Sequence, residues 1–260
     1  MRNPVTGLLA LCLTSALLVA VGSNAARAQS CNPDALGTSR VLAIDPREYP
    51  HVGAMDHAAA LPLGDKEVVL TFDDGPRPPY TNQVLDILAA QCVKATFFLI
   101  GEMARTHPST ARRIFVEGHT IGTHSEDHPL RFGKLPAELV EWEIDKGIVD
   151  VGAALGDSKE VAPFFRVPGL ANSEVIESEL AARLLVDFSS DTDADDWHPR
   201  ISPKKIIMLA LNRLIARGRG ILLLHDIHPA TVAALPGILK DLKERGFHVV
   251  QVVPAPAAEF

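Results

Sequence analysis

From residue 67 onward the chain repeats one pattern: a short apolar run, then a cluster of acids, histidines or an arginine, then a stretch with helical spacing. Strands that are apolar on both faces must be covered on both faces. Alternating with amphipathic helices, they imply parallel pairing with the helices packed outside. The β-rich runs are Glu67–Phe72, Ala95–Ile100, Thr120–Thr123, Pro163–Phe165, Leu184–Phe188, Ile221–Leu224 and His248–Val253. Helical spacing covers Tyr80–Gln91, Met103–Glu117, Pro136–Leu155, Ser173–Ala182 and Ala230–Arg245. A further helix starts at the cap pair Ser202-Pro203 and ends near Gly218. About seven such units fit, so the expected fold is α/β, an irregular (β/α) barrel occupying residues 66–260 as one domain. With 260 residues, 47% of them hydrophobic, the chain can bury such a core, and 22% charged residues argue against disorder.

The N-terminal part reads differently. Arg2 precedes an apolar run from Val5 to Val21, and Ala26-Arg27-Ala28 fits a small-x-small cleavage site. Residues 1–28 are therefore expected to be a secretory signal peptide, with Gln29 starting the mature chain in a secreted or periplasmic protein. The run is short for a membrane span, and the residues before Cys31 do not form a lipobox. Residues 29–65, with scattered Pro, Gly and His, read as an unpatterned N-terminal extension. Losing the two positive charges of Arg2 and Arg27 with the signal takes the formal charge from −7 to −9. An acidic chain is a poor match for nucleic acid or an anionic membrane. Cys12 lies in the signal, which leaves Cys31 and Cys92. They either form a disulfide tying the extension to the body or stay as two thiols, since spacing alone does not give the geometry.

Five polar motifs follow apolar runs: Thr71-Phe72-Asp73-Asp74-Gly75-Pro76, His124-Ser125-Glu126-Asp127-His128, Arg166-Val167-Pro168-Gly169, Asp191 to Trp197, and Leu222-Leu223-Leu224-His225-Asp226. In a parallel barrel all five fall at the C-terminal strand ends, where such folds carry their chemistry. Each has an ordinary reading as well. Asp73-Asp74-Gly75-Pro76 is also a common solvated turn. His124 and His128 are either two exposed loop histidines or, four residues apart, neighbours able to share a cation. With a carboxylate from Asp74 they would make an Asp-His-His set that leaves one coordination position open, a catalytic arrangement. His225, leaving a buried strand, is a general acid or a core histidine. Asp193, Asp195 and Asp196 are a solvated acidic loop, a calcium site or part of the active site. Arg166 follows two phenylalanines and is costly to bury without an acid; Asp73 is its first-choice partner.

Taken in order, these motifs resemble those of the polysaccharide deacetylases of the NodB-homology type, carbohydrate esterase family 4, over roughly Glu67 to Val253. The resemblance implies a hydrolase that removes N-acetyl groups from N-acetylglucosamine-containing glycans of the chitooligosaccharide or peptidoglycan type. It implies one divalent metal ion, usually zinc, held by Asp74, His124 and His128. Asp73 would be the general base acting on water and His225 the acid for the leaving amine. Arg166 would position the base, Asp196 would orient His225, and Trp197 and Leu223 would wall the acetyl pocket. Gly169 departs from the family, which often places an aromatic residue there. Its main-chain N–H can still serve an oxyanion, but one subsite wall is missing. His119, His198 and His228 are expected to be supporting or surface residues. An O-acetyl xylan esterase by the same mechanism, a hydrolase of small non-sugar amides, and a non-catalytic glycan-binding protein on the same fold are the alternatives. Trp142 and Trp197 are the only tryptophans, too few for a long stacking platform, which favours oligosaccharides or loose strands over crystalline polymer.

Overall fold

The computed structural model describes Met1 and residues 31–256; beyond Met1, the expected signal peptide, with Cys12, lies outside the described residues. Every strand pairing is parallel. Strand β3 (Glu67–Asp73) is the hub. It pairs along Val68–Asp73 with β9 (Gly220–His225), and through Thr71–Asp73 with β4 (Thr96–Leu99). Beyond β4 follow β5 (Thr120–Thr123), β6 (Phe164–Phe165) and β7 (Val186–Phe188); beyond β9 lies β8 (Thr192–Asp193). These seven strands form the expected irregular barrel with one exchange: Thr192–Asp193 is not among the expected runs, and the expected run His248–Val253 lies outside the series. The barrel is not closed, because no ladder joins β7 to β8 among the described residues.

Side-chain alternation sets what each strand face does. On β3, Leu70 and Phe72 join the core beneath the helices, whereas Val69 packs inside the barrel with Phe98, Phe164, Phe188 and Ile221. Thr71 and Asp73 share the parity of Val69, so the strand delivers Asp73 to the inner rim. The helices are α1 (Tyr80–Ala90), α2 (Gly101–Thr106), α3 (Pro108–Val116), α4 (Ala137–Leu155), α5 (Glu174–Ala182), α6 (Pro203–Arg217) and α7 (Pro229–Glu244). Ser202 caps α6 by accepting the Lys205 N–H, and Ser173 caps α5 by accepting that of Ile176. The expected helix Met103–Glu117 is two, because Pro108 has no N–H to continue α2 and instead opens α3.

The extension is more ordered than its sequence suggests. Strand β1 (Thr38–Ile44) pairs with β10 (His248–Pro254), which also pairs with the start of β3. Strand β2 (His51–Val52) pairs with the free edge of β7. The loop after β2 then enters the open seam. The Met55 N–H donates to the Ser190 carbonyl at 2.9 Å, and the Ala54 N–H to Asp191 Oδ1 at 3.0 Å. Gly53 makes this approach possible: it takes φ +100°, and a Cβ there would lie 2.5 Å from the Ser189 backbone. Cys31 and Cys92 are disulfide-bonded with Cα atoms 5.9 Å apart, which decides between the two readings of these cysteines and ties the extension to the turn after α1.

Candidate active site

The polar motifs converge on a cavity of about 450 Å³ at the C-terminal strand ends. Its walls include Asp73, Asp74, His124, His128, Trp197 and His225. Asp74 follows the last residue of β3 and takes φ +72°, turning its carboxylate toward β5. Its Oδ1 lies 3.5 Å from His124 Nε2 and 3.6 Å from His128 Nε2. The same Oδ1 is buried without a hydrogen-bond partner. The His124 Nδ1 bonds the Arg166 carbonyl at 2.7 Å, so Nε2 is the nitrogen that faces Asp74. Ser125 and His128 both take positive φ, and the Ser125 hydroxyl accepts the His128 N–H at 3.0 Å; this tight turn brings the second imidazole back to the first. Burial, outweighing the charges of Asp73 and Asp74, holds His124 below the ordinary imidazole range. Burial opposes ionisation of Asp74, but His124, His225, His128 and His228 together outweigh it and lower its pKa. A neutral imidazole and an ionised carboxylate are the states a cation needs. The three side chains can therefore hold a metal ion, their donor atoms all lying within 4.8 Å of one another.

Asp73 belongs to a second assembly. Arg166, fully buried at the end of β6, donates to Asp73 Oδ1 at 2.7 Å. It donates as well to Thr71 Oγ1 at 2.8 Å and to the carbonyls of Phe188 and Ser189 at 2.8 and 3.1 Å. Its guanidinium lies 4.2 Å from the Phe98 ring centroid. The expected ion pair is thus present, with Asp73 Oδ2 left 4.0 Å from His124 Nε2. On the far side of the cavity, Asp196 Oδ1 bonds His225 Nδ1 at 2.8 Å, while Oδ2 accepts the His225 N–H at 2.8 Å and the Thr231 hydroxyl at 2.7 Å. Burial would lower the His225 pKa; the bond to Asp196, its charge and those of Asp74 and Asp73 outweigh burial and push it up to about 9.

The remaining acids of the fourth motif are paired with arginines, and Asp193 also lines the cavity. Arg213 pairs with Asp193 and with Asp195, and Arg217 with Asp191 at 3.1 Å. Trp197 is 52% exposed beside the cavity and stacks on His198. Leu223 and Gly169 both line it. A Cβ on Gly169 would meet nothing within 4 Å, so the absent side chain leaves open space. His119 is a core residue: burial, with Lys94 and Arg113, pushes its pKa down to about 3, and its Nδ1 accepts the Ala95 N–H at 3.1 Å. Met55, Val167 and Leu170 also line the cavity and were not anticipated. Val167 and Leu170 flank the third motif and follow from it. Met55 carries no local signal, since it reaches the site only through the seam.

An open parallel barrel with an Asp-His-His group, an arginine-held carboxylate and an aspartate-held histidine on one rim defines a hydrolase-type site. Comparison with known proteins agrees. The polysaccharide deacetylase family profile matches residues 60–184. A peptidoglycan-N-acetylglucosamine deacetylase of Bacillus cereus is 36% identical over 191 residues, covering 70% of this chain and 67% of its own length. A chitooligosaccharide deacetylase of Rhizobium leguminosarum bv. trifolii is 32% identical over 198 residues, 70% of this chain and 88% of that protein. Among solved structures, a peptidoglycan deacetylase of Bdellovibrio bacteriovorus superposes with a TM-score of 0.75 at 29% identity, over 86% of this chain and 62% of that one. Some relatives are longer still: the chain spans 38% of the Listeria monocytogenes peptidoglycan deacetylases. The chain belongs to the polysaccharide deacetylase family, a family of hydrolases.

Proposed function

We propose that the protein is a secreted or periplasmic, metal-dependent N-deacetylase of N-acetylglucosamine-containing glycans, of the peptidoglycan or chitooligosaccharide type. The observation that carries this reading is the buried, unpartnered Asp74 Oδ1 facing two imidazole nitrogens, with a carboxylate and a histidine on opposite sides. A buried acceptor left unsatisfied is costly unless something occupies the space before it. Two imidazoles and one carboxylate suit zinc better than the all-oxygen cations. When bound by Asp74, His124 and His128, such an ion would supply Lewis acidity toward the acetyl carbonyl and toward water.

The chain's own residues supply the proton transfers. Asp73, its Oδ1 fixed by Arg166, keeps Oδ2 for the proton of the attacking water. The main-chain N–H of Gly169, a residue that lines the cavity, would serve the carbonyl oxygen as charge develops. His225, held through Nδ1 by Asp196, presents Nε2 to the leaving nitrogen and protonates it as the C–N bond breaks, giving acetate and a free amine. Trp197 and Leu223 form the apolar walls for the acetyl methyl. In this reading residues 1–28 are removed as a signal peptide, 66–260 carry the chemistry, and the 29–65 extension completes the cavity through Met55. Acetate release from N-acetylglucosamine oligomers, peptidoglycan strands and O-acetylated xylan tests it. Release from either of the first two is expected. Release from xylan alone would make the protein an esterase, and none from any would favour the glycan-binding alternative.

The His225–Asp196 pair also sets a pH dependence. The His225 pKa is raised from 6.5 to about 9. The pairing therefore contributes its full stability below pH 6.5 and loses it as pH rises through about 9. The bond from Asp196 to its Nδ1 favours protonated His225, so the alkaline limb of kcat/KM should lie at higher pH with Asp196 present than without it. In Asp196→Asn the limb should move down toward neutral pH. A pH profile unchanged by that substitution would remove His225 from the acid role.

A further inference from the structure

One other group among the described residues brings three metal-ligating side chains together, away from the catalytic cavity. His51 on β2, His57 in the seam loop and Asp187 on β7 place ligand atoms within 4.8 Å of one another, as Asp74, His124 and His128 do. We propose that His51, His57 and Asp187 form a second divalent cation site, of the zinc class, that clamps the N-terminal extension to β7 at the edge of the open barrel seam.

Three observations support a ligand here. The first is unmet polarity. His51 Nδ1 and His57 Nε2 are both buried without a hydrogen-bond partner. His57 Nε2 lies 3.0 Å from Asp187 Oδ2, yet the two are not aligned as a hydrogen bond. Ligand atoms gathered this closely, with two of the nitrogens left without a hydrogen bond, suit a shared cation. The second is burial. The side chains of His57 and Asp187 are 10% and 2% exposed, so an empty arrangement would leave the orphaned nitrogens away from water. The third is outer support. Asn172 Nδ2 donates to Asp187 Oδ2 at 2.7 Å, and residues 51 and 187 are direct register partners in the β2–β7 ladder. An outer hydrogen bond that orients a ligating carboxylate is a usual feature of built metal sites. Two imidazoles with one carboxylate select a zinc-class ion over calcium or magnesium.

The location gives the site a purpose. Between its two histidines the loop carries Met55, which lines the catalytic cavity, and Asp56, which accepts the Ser189 hydroxyl at 2.7 Å. Next to Asp187, the Phe188 and Ser189 carbonyls receive the Arg166 guanidinium. An ion at His51, His57 and Asp187 would fix the loop that follows β2 against the edge of β7, beside the two carbonyls that hold Arg166.

Metal counting separates this site from the catalytic one. Metal-free mature protein, titrated with cobalt(II) and followed by visible absorption and by bound metal after desalting, is expected to take up two equivalents. His124→Ala/His128→Ala, which removes two catalytic ligands, should retain one. His57→Gln in the unaltered catalytic background should also retain one, with a circular dichroism spectrum matching the parent. Uptake of a single equivalent by the unmodified protein, or no uptake by His124→Ala/His128→Ala, would overturn the second site and leave an imidazole–carboxylate contact. Because the unmodified protein decides the count, a variant that fails to fold does not protect the proposal. Two equivalents with no acetate release on any glycan would uphold this site while the deacetylase reading failed.

Discussion

Asp73→Asn should lower kcat by about three to four orders of magnitude while leaving metal content unchanged, near the upper end of what general-base catalysis supplies. The substitution keeps the volume and the acceptor that Arg166 needs, since an amide oxygen can take the place of Oδ1. What it removes is the basic Oδ2 that faces the cavity on the Asp74 side. The neighbouring Asp74, His124 and His128 stay as they are, so the cation-holding group should be intact. Rate and bound metal must therefore be measured on the same preparation. A variant that loses both would mean that Asp73, rather than Asp74 alone, holds the ion. A variant that keeps most of its rate would mean that another group takes the proton.

Arg166→Ala should destabilise the fold by about 3–5 kcal/mol, the range for removing one partner of a buried ion pair. Arg166 is fully buried and is held by four hydrogen-bond partners and the Phe98 face. Its loss strands the Asp73 carboxylate and two main-chain carbonyls in the barrel interior and leaves a cavity beside Phe98. Lysine should not restore the protein, because a point charge cannot reach Asp73, Thr71 and both carbonyls in the planar fork that guanidinium provides. Urea unfolding with the slope compared between variants checks this. A loss within about 0.5 kcal/mol, the scale of a surface change, would contradict the structural role assigned to the arginine.

Most of the barrel and of the candidate active-site cluster was legible from sequence because both are written in local patterns. Strands such as Ile221–Leu224 are apolar on both faces, and each ends in a motif whose partners come from other strand ends at the same level. Once the strands are parallel, proximity of Asp73, Asp74, His124, Arg166 and His225 follows from topology, not from contacts that had to be guessed. The extension was illegible for the opposite reason. On β1 the half-buried positions are Thr38, Arg40 and Leu42, while Val41 faces solvent at 57% exposure. Arg40 shares the face of Leu42, is only partly buried, and pairs with Glu67 of β3 at 2.6 Å. A strand whose half-buried face carries an arginine shows no apolar alternation, so its pairing depends on a residue that local periodicity does not include. His51 and His57 carried no signal either, since their carboxylate, Asp187, lies 130 or more positions away. The break between α2 and α3 was visible in Pro108 and was overridden by the helical spacing on either side.

Acetate release from N-acetylglucosamine oligomers, followed before chelation, after chelation, and after zinc is returned, decides whether the site works as a metal-dependent deacetylase. Release should be lost with the metal and restored by zinc, with Asp73→Asn silent in all three conditions. Release that persists at full rate in the chelated, metal-free protein would contradict that reading, because Asp74, His124 and His128 would then converge on a cation the reaction does not use.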